Sequence, residues 1–149
     1  MSVSPITCVK KKDDSLRICV DYTYINSYTE PLSYPLPRID SIPERIPGGT
    51  RFFSNLDLKE AFRSLPLHPD SQHHAAIITL SGVFVPLRTP FGLRNAPAGF
   101  QRFMEEILLP CRHFVMVYID DILIFSKTEN EHIDHLRQVL VILSKMDYI

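Results

Sequence analysis

Val115-Met116-Val117-Tyr118-Ile119-Asp120-Asp121-Ile122-Leu123-Ile124-Phe125 sets two adjacent carboxylates between two apolar runs. Both runs are short and rich in Val and Ile, so each reads as a buried strand. An unpaired charge inside such a core is expensive. A tight turn with Asp120-Asp121 at its tip lifts both carboxylates to the edge of the core, where they can share a divalent cation. Taken alone, the same residues also describe an acidic hairpin turn in water, because Asp is common in turns. The surrounding chain has to decide.

Helices are expected on both sides of this hairpin. Upstream, Pro97 suits a first helical position after Asn95 or Ala96. Phe100, Phe103, Met104, Ile107 and Leu108 then recur at helical spacing until Pro110. Downstream, Thr128 or Asn130 caps a final helix, with Ile133, Leu136, Leu140 and Leu143 as its apolar stripe. His132 and His135 lack a third ligand near them in sequence and are expected on a solvated helix face.

Farther out, residues 51–56 read as a strand that ends on Asp57, followed by a brief helical turn over 58–62. Residues 75–80 and 83–87 form a hairpin through Ser81-Gly82, and residues 6–9 and 16–20 form another. The tip of the latter is Lys10-Lys11-Lys12-Asp13-Asp14-Ser15: a solvated surface, or a cationic flap over phosphates. Prolines at 31, 35, 37, 43 and 47 leave room only for a short helix near 39–46. Helices packed on one face of an antiparallel sheet make an α+β architecture.

Composition narrows the class. The chain of 149 residues suits one domain with a real core or part of a larger enzyme. A hydrophobic content of 45% with 22% charged residues excludes a disordered chain. The net charge of −1 argues against a passive nucleic-acid clamp, though not against an enzyme whose metal ions meet phosphates. Three scattered cysteines, Cys8, Cys19 and Cys111, point to a reduced, intracellular setting rather than a secreted one. No signal peptide is visible, and no apolar run approaches the roughly 20 residues that span a bilayer, so no membrane partner is expected.

Asp57, Asp120 and Asp121 are the acidic residues standing at ends of apolar strands. If those strands are neighbours, three carboxylates converge, and their mutual repulsion calls for cations. Hard oxygen ligands select magnesium, or manganese, over zinc. Two such ions about 3.5–4 Å apart would serve phosphoryl transfer. Polymerases and nucleases both use that device, and carboxylates alone do not choose between them.

Four further blocks make the choice. Tyr118-Ile119-Asp120-Asp121 resembles the Tyr-x-Asp-Asp motif of reverse transcriptases. Phe53-Ser54-Asn55-Leu56-Asp57-Leu58-Lys59-Glu60-Ala61-Phe62 resembles their first catalytic motif. Pro90-Phe91-Gly92-Leu93-Arg94-Asn95-Ala96-Pro97-Ala98-Gly99-Phe100-Gln101 is similar to their second motif in its gypsy-like retrotransposon form. Val9-Lys10-Lys11-Lys12-Asp13, with Leu16-Arg17-Ile18-Cys19-Val20-Asp21-Tyr22, resembles their fingers segment, and Tyr34-Pro35-Leu36-Pro37-Arg38-Ile39-Asp40 is typical of the same group. The blocks stand in the family's order.

The resemblance implies the fingers and palm of an RNA-directed DNA polymerase, with fingers at about 1–30 and 65–95 and palm, a ferredoxin-like antiparallel sheet, at about 31–64 and 96–149. Asp57 and Asp120 would hold two Mg2+ ions (or Mn2+), with Asp121 in the same carboxylate cluster. The incoming deoxynucleoside triphosphate would meet Lys11 and Arg17 from the fingers, backbone N–H groups near Glu60 and Ala61, a sugar-gate ring at Phe62, and Phe91-Gly92 beside the nascent base pair. Implied partners are an RNA or DNA template with its primer. The family's thumb, connection and RNase H regions, parts of a longer Pol polyprotein, are not in the sequence, so grip on the primer–template is expected to be poor. The implied setting is cytoplasmic or within virus-like particles.

Three departures stand out. Thr23 replaces the usual Arg after Asp21-Tyr22, and Phe62-Arg63-Ser64 replaces the usual aromatic-His-Gln run. The chain also stops at Ile149, before the family's next palm motif. The rival reading is a catalytically inactive retroelement remnant or a nucleic-acid- or protein-binding module.

Overall fold

The computed structural model describes residues 3–10, 14, 16–38, 40 and 42–146, without the side chain of Arg17. Two units emerge: Met1–Leu32 with Phe62–Ala96, and Ser33–Ala61 with Pro97–Ile149.

In the first unit β1 (Val3–Lys10) and β2 (Leu16–Val20) pair antiparallel, as the two strand-like segments on either side of a polar tip predict. β4 (Ala76–Thr79) and β5 (Gly82–Phe84) form the second hairpin. The sequence suggests two separate hairpins; instead, Val3–Pro5 of β1 pair in parallel with Ala76–Ile78 of β4, giving one sheet ordered β2-β1-β4-β5. Parallel pairing between segments over 70 residues apart leaves no local sequence signal, which is why it could not be read in advance. β5 also ends earlier than expected, before Pro86, which has no N–H to offer a ladder. The short helices α1 (Thr23–Tyr28) and α3 (Pro69–Gln72) belong to this unit. Tyr22, 2% exposed, donates its hydroxyl to the Ala75 carbonyl at 3.1 Å, and burial pushes its pKa up to about 12.

The second unit is built on a three-stranded antiparallel sheet ordered β3-β7-β6, with β3 at Phe52–Asp57, β6 at Val115–Tyr118 and β7 at Asp121–Ser126. The acidic stretch therefore does form a hairpin, and its second strand is central. Helices α2 (Ile42–Arg45), α4 (Ala96–Ile107) and α5 (Glu129–Ser144) complete the unit. Phe100, Met104, Ile122, Ile124 and Val139 are wholly buried. Each such side chain contributes about 1.5–3 kcal/mol relative to exposure.

The final helix starts where expected. Thr128 Oγ1 accepts the Glu131 N–H and the Glu131 carboxylate accepts the Thr128 N–H, a reciprocal cap. Its buried face differs from the expected stripe. Ile133 and Leu140 remain about half exposed, while His132, Val139 and Leu143 are buried. His132 is thus not on a solvated face: its Nε2 bonds Ser54 Oγ at 2.8 Å and its Nδ1 bonds Ser126 Oγ at 2.9 Å. Ser126 Oγ also bonds His135 Nδ1 at 2.7 Å, and the His135 ring stacks on Phe114. Serines on β3 and β7 make a polar seam for the helix, so the helix turns its histidines inward.

Candidate active site

Tyr118 pairs with Asp121, so β6 and β7 are joined by the two-residue turn Ile119-Asp120. Ile119 has φ +54°, where a β-branched residue is strained. The turn is held from inside the unit. Ile119 N–H donates to Gln101 Oε1 at 2.6 Å, and Gln101 Nε2 donates to the Val117 carbonyl at 2.9 Å and to Glu105 Oε1 at 2.7 Å. Tyr34 donates its hydroxyl to Glu105 Oε2, which raises the tyrosine pKa. On the other side Leu58 N–H donates to the Asp120 carbonyl at 3.2 Å.

The same ladder delivers the third carboxylate. Asp57, the last residue of β3, lies directly opposite Asp121, the first of β7. Cross-strand partners point to one face of a sheet, so Asp57 and Asp121 share a face, with Asp120 one residue away in the turn. Asp57 and Asp120 are exposed; Asp121 is half-buried and accepts Asn55 Nδ2 at 2.8 Å on Oδ1. Among the described residues no group of three or more His, Cys, Asp or Glu side chains is arranged to hold a metal ion, so the three carboxylates share one end of the sheet without forming a ready-made cage. What this end of the sheet presents is carboxylate oxygens, two of them on exposed side chains.

The remaining expected residues fall into two sets. Glu60 and Ala61 follow β3 in the second unit; Glu60 takes φ +53°, and buried Ala61 opens a short 3₁₀ turn, so the helical turn expected over 58–62 begins only there. In the first unit Phe62 and Phe91 meet edge to face with centroids 5.2 Å apart. Gly92 has φ +96°, a backbone that glycine adopts without strain, and a Cβ there would make only ordinary contact with Tyr22 Cδ2 at 3.4 Å and the Val20 carbonyl at 3.6 Å, so it is the backbone angle that calls for glycine. Asn26 clasps this loop, donating to the Gly92 carbonyl and accepting the Arg94 N–H, both at 2.8 Å. Lys11 lies outside the described residues. Arg17 sits in β2 opposite Val9, with its side chain outside them.

Gln101, Glu105, Tyr34, Asn55 and Asn26 were not singled out from sequence. Gln101 did leave a signal: it falls on the buried stripe of α4 with Phe100 and Met104, where an amide needs partners. Glu105 stands one helical turn after it, while Tyr34, Asn55 and Asn26 make contacts 66 to 71 residues distant in sequence, which leave no local signal. No helix among the described residues is long and apolar enough to cross a membrane.

Residues 9–149 match the family described as "Reverse transcriptase (RNA-dependent DNA polymerase)". The "Transposon Tf2-3 polyprotein" and "Transposon Tf2-7 polyprotein" of Schizosaccharomyces pombe are each 39% identical over 150 residues, covering 100% of this chain and 11% of the relative. The chain thus spans about a tenth of the length of these curated relatives. Among solved structures, the foamy viral protease-reverse transcriptase in complex with double-stranded DNA aligns with TM-score 0.86 and 28% identity, covering 99% of this chain and 26% of that one. The same viral enzyme in complex with an RNA/DNA hybrid aligns with TM-score 0.85 and 28% identity, covering 97% and 19%. The chain belongs to the reverse transcriptase family, in keeping with the gypsy-like form of its second motif.

Proposed function

We propose, from this family membership, that the chain carries the polymerase centre of a retrotransposon reverse transcriptase and adds deoxynucleotides to a primer 3′-hydroxyl on an RNA or DNA template. The observation that carries the reading is the register that pairs Asp57 with Asp121 beside the Asp120 turn. The exposed carboxylates of Asp57 and Asp120 fit Mg2+, which binds one or two carboxylates together with phosphate oxygens rather than a closed protein cage. Bound there, two Mg2+ (or Mn2+) ions would activate the attacking hydroxyl and offset charge on the phosphates. Asp121, tied to Asn55, would add negative charge to the cluster rather than serve as the main ligand.

The first unit would act as fingers and the second as palm. Lys11 and Arg17 would bind triphosphate oxygens, Arg17 in bidentate fashion. Backbone N–H groups near Glu60 and Ala61 would also meet the phosphates. Phe62, braced by Phe91, would exclude a 2′-hydroxyl sterically, and Phe91-Gly92 would lie beside the nascent base pair. Thumb, connection and RNase H segments of a longer polyprotein would supply further grip, in an intracellular setting. The 39% identity to transposon polyproteins across the whole chain supports this context.

Primer extension on an RNA template with Mg2+ tests the proposal. Joined to the thumb segment of the longer polyprotein, since the isolated chain is expected to grip poorly, the unmodified protein should extend with dNTPs and Asp57→Asn should not; equal rates would refute the metal assignment. Phe62→Ala should admit ribonucleotides, and unchanged sugar discrimination would remove the gate.

A further inference from the structure

We propose that Gln101 is a positioning residue for Asp120, acting through the Ile119 amide, and that Glu105 and Tyr34 fix the orientation of the glutamine. The role rests on the polymerase reading of the β6–β7 turn. A strained turn persists only where its surroundings over-determine it. Ile119, at φ +54°, has no glycine's freedom, and its turn is nevertheless the tip on which Asp120 stands.

Gln101 supplies the constraint. It is 0% exposed, and one amide bridges two backbone groups that flank Tyr118: the Val117 carbonyl and the Ile119 N–H. Its orientation is unambiguous. Two partners, Val117 O and Glu105 Oε1, only accept, and the third, Ile119 N–H, only donates, so a flipped amide would oppose like groups at all three contacts. A carboxylate in its place could not donate to Val117, and an apolar chain would leave both backbone groups without it. Glu105 is anchored in turn by the Tyr34 hydroxyl. A chain of hydrogen bonds thus runs from Tyr34 through Glu105 and Gln101 to Ile119. With Leu58 N–H on the Asp120 carbonyl, the backbone is pinned on both sides of Asp120 while its exposed carboxylate stays available. Such outer partners set ligand direction, and their loss commonly costs about 10–100-fold in metal affinity or activity.

The test compares Gln101→Met, Glu105→Ala, Glu105→Gln and Tyr34→Phe in the full chain. Three readouts are used: hydrogen exchange of the Ile119 amide, Mn2+ affinity by electron paramagnetic resonance, and kcat and KM of primer extension. Gln101→Met should speed Ile119 exchange and weaken Mn2+ binding by about 10–100-fold. With metal kept saturating, it should lower kcat by a similar factor through the misplaced carboxylate while KM for the nucleotide stays within about two-fold, because the contacts to base and fingers are untouched. Exchange of the central β7 amides of Ile122 and Ile124 should be unchanged. Glu105→Gln keeps an acceptor for Gln101 and should behave nearly as the unmodified chain, whereas Glu105→Ala and Tyr34→Phe should show smaller losses of the same pattern. Unchanged Ile119 exchange in Gln101→Met, or acceleration spread evenly over β7, overturns the proposal. If Gln101→Met does not fold, Glu105→Ala decides by the same signs. A chain that binds no Mn2+ and extends no primer overturns the polymerase reading instead, and Ile119 exchange still reports whether the glutamine holds the turn.

Discussion

The turns Leu80-Ser81 and Ile119-Asp120 both join antiparallel strands with two residues, by opposite means. The first is made from its own neighbours. Thr79 Oγ1 accepts the Ser81 N–H and donates to the Gly82 carbonyl, both at 3.1 Å, and Gly82 takes φ +136° without a side chain to object. The second has no glycine and borrows its constraint from Gln101, eighteen residues away. This locally specified turn carries only exposed Leu80 and Ser81 at its tip. A tertiary-specified turn can hold a strained residue still, and that is where the carboxylate stands.

The contrast breaks most sharply at Asp120. Asp120→Asn removes a proposed ligand worth several kcal/mol in the transition state, so extension should fall on the order of 10³-fold. The side chain is exposed, so the melting temperature should move by no more than about 2 °C. Calorimetry beside the activity assay separates these.

Next in size is a pH effect on the β4–β5 hairpin, whose entry is tethered by the Tyr22 hydroxyl on the Ala75 carbonyl. The folded-state pKa of about 12 lies above the usual 10 of a free tyrosine. The stabilisation is therefore complete below pH 10 and is lost as pH rises toward 12, by up to about 1.4 kcal/mol per pH unit. Denaturant titrations of Tyr22→Phe should lack this component of the alkaline decline while losing about 1 kcal/mol at neutral pH.

Smaller still is Gly82→Ala. No atom lies within 4 Å of the added Cβ, so the cost is purely backbone, about 1–2 kcal/mol by urea unfolding. Smallest is the converse, Ile119→Gly. Relief of strain offsets the added chain entropy and the lost contacts, leaving stability within about 1 kcal/mol of the unmodified chain. A large loss there would mean that the isoleucine side chain, and not the glutamine clamp, fixes the turn.

By itself the sequence determined most of the strands and the two long helices, and it marked the acidic strand ends. Short apolar runs placed β3, β6 and β7, and helical periodicity placed α4 with Phe100 and Met104 inward and Leu108 buried just past its end, as the structure bears out. The cap at Thr128 was legible for the same reason: its partners lie within four residues. Carboxylates at strand ends marked Asp57, Asp120 and Asp121 before any contact was known. Tertiary structure alone decided the register that sets Asp57 against Asp121, the parallel joint between β1 and β4, and the inward rotation of His132. It also decided the hydrogen-bonded line from Tyr34 to Ile119. Periodicity reports which side of an element is apolar, because that depends on the residue's own chemistry. It cannot report which partner satisfies a buried amide or imidazole, because that depends on atoms brought close only when the chain folds.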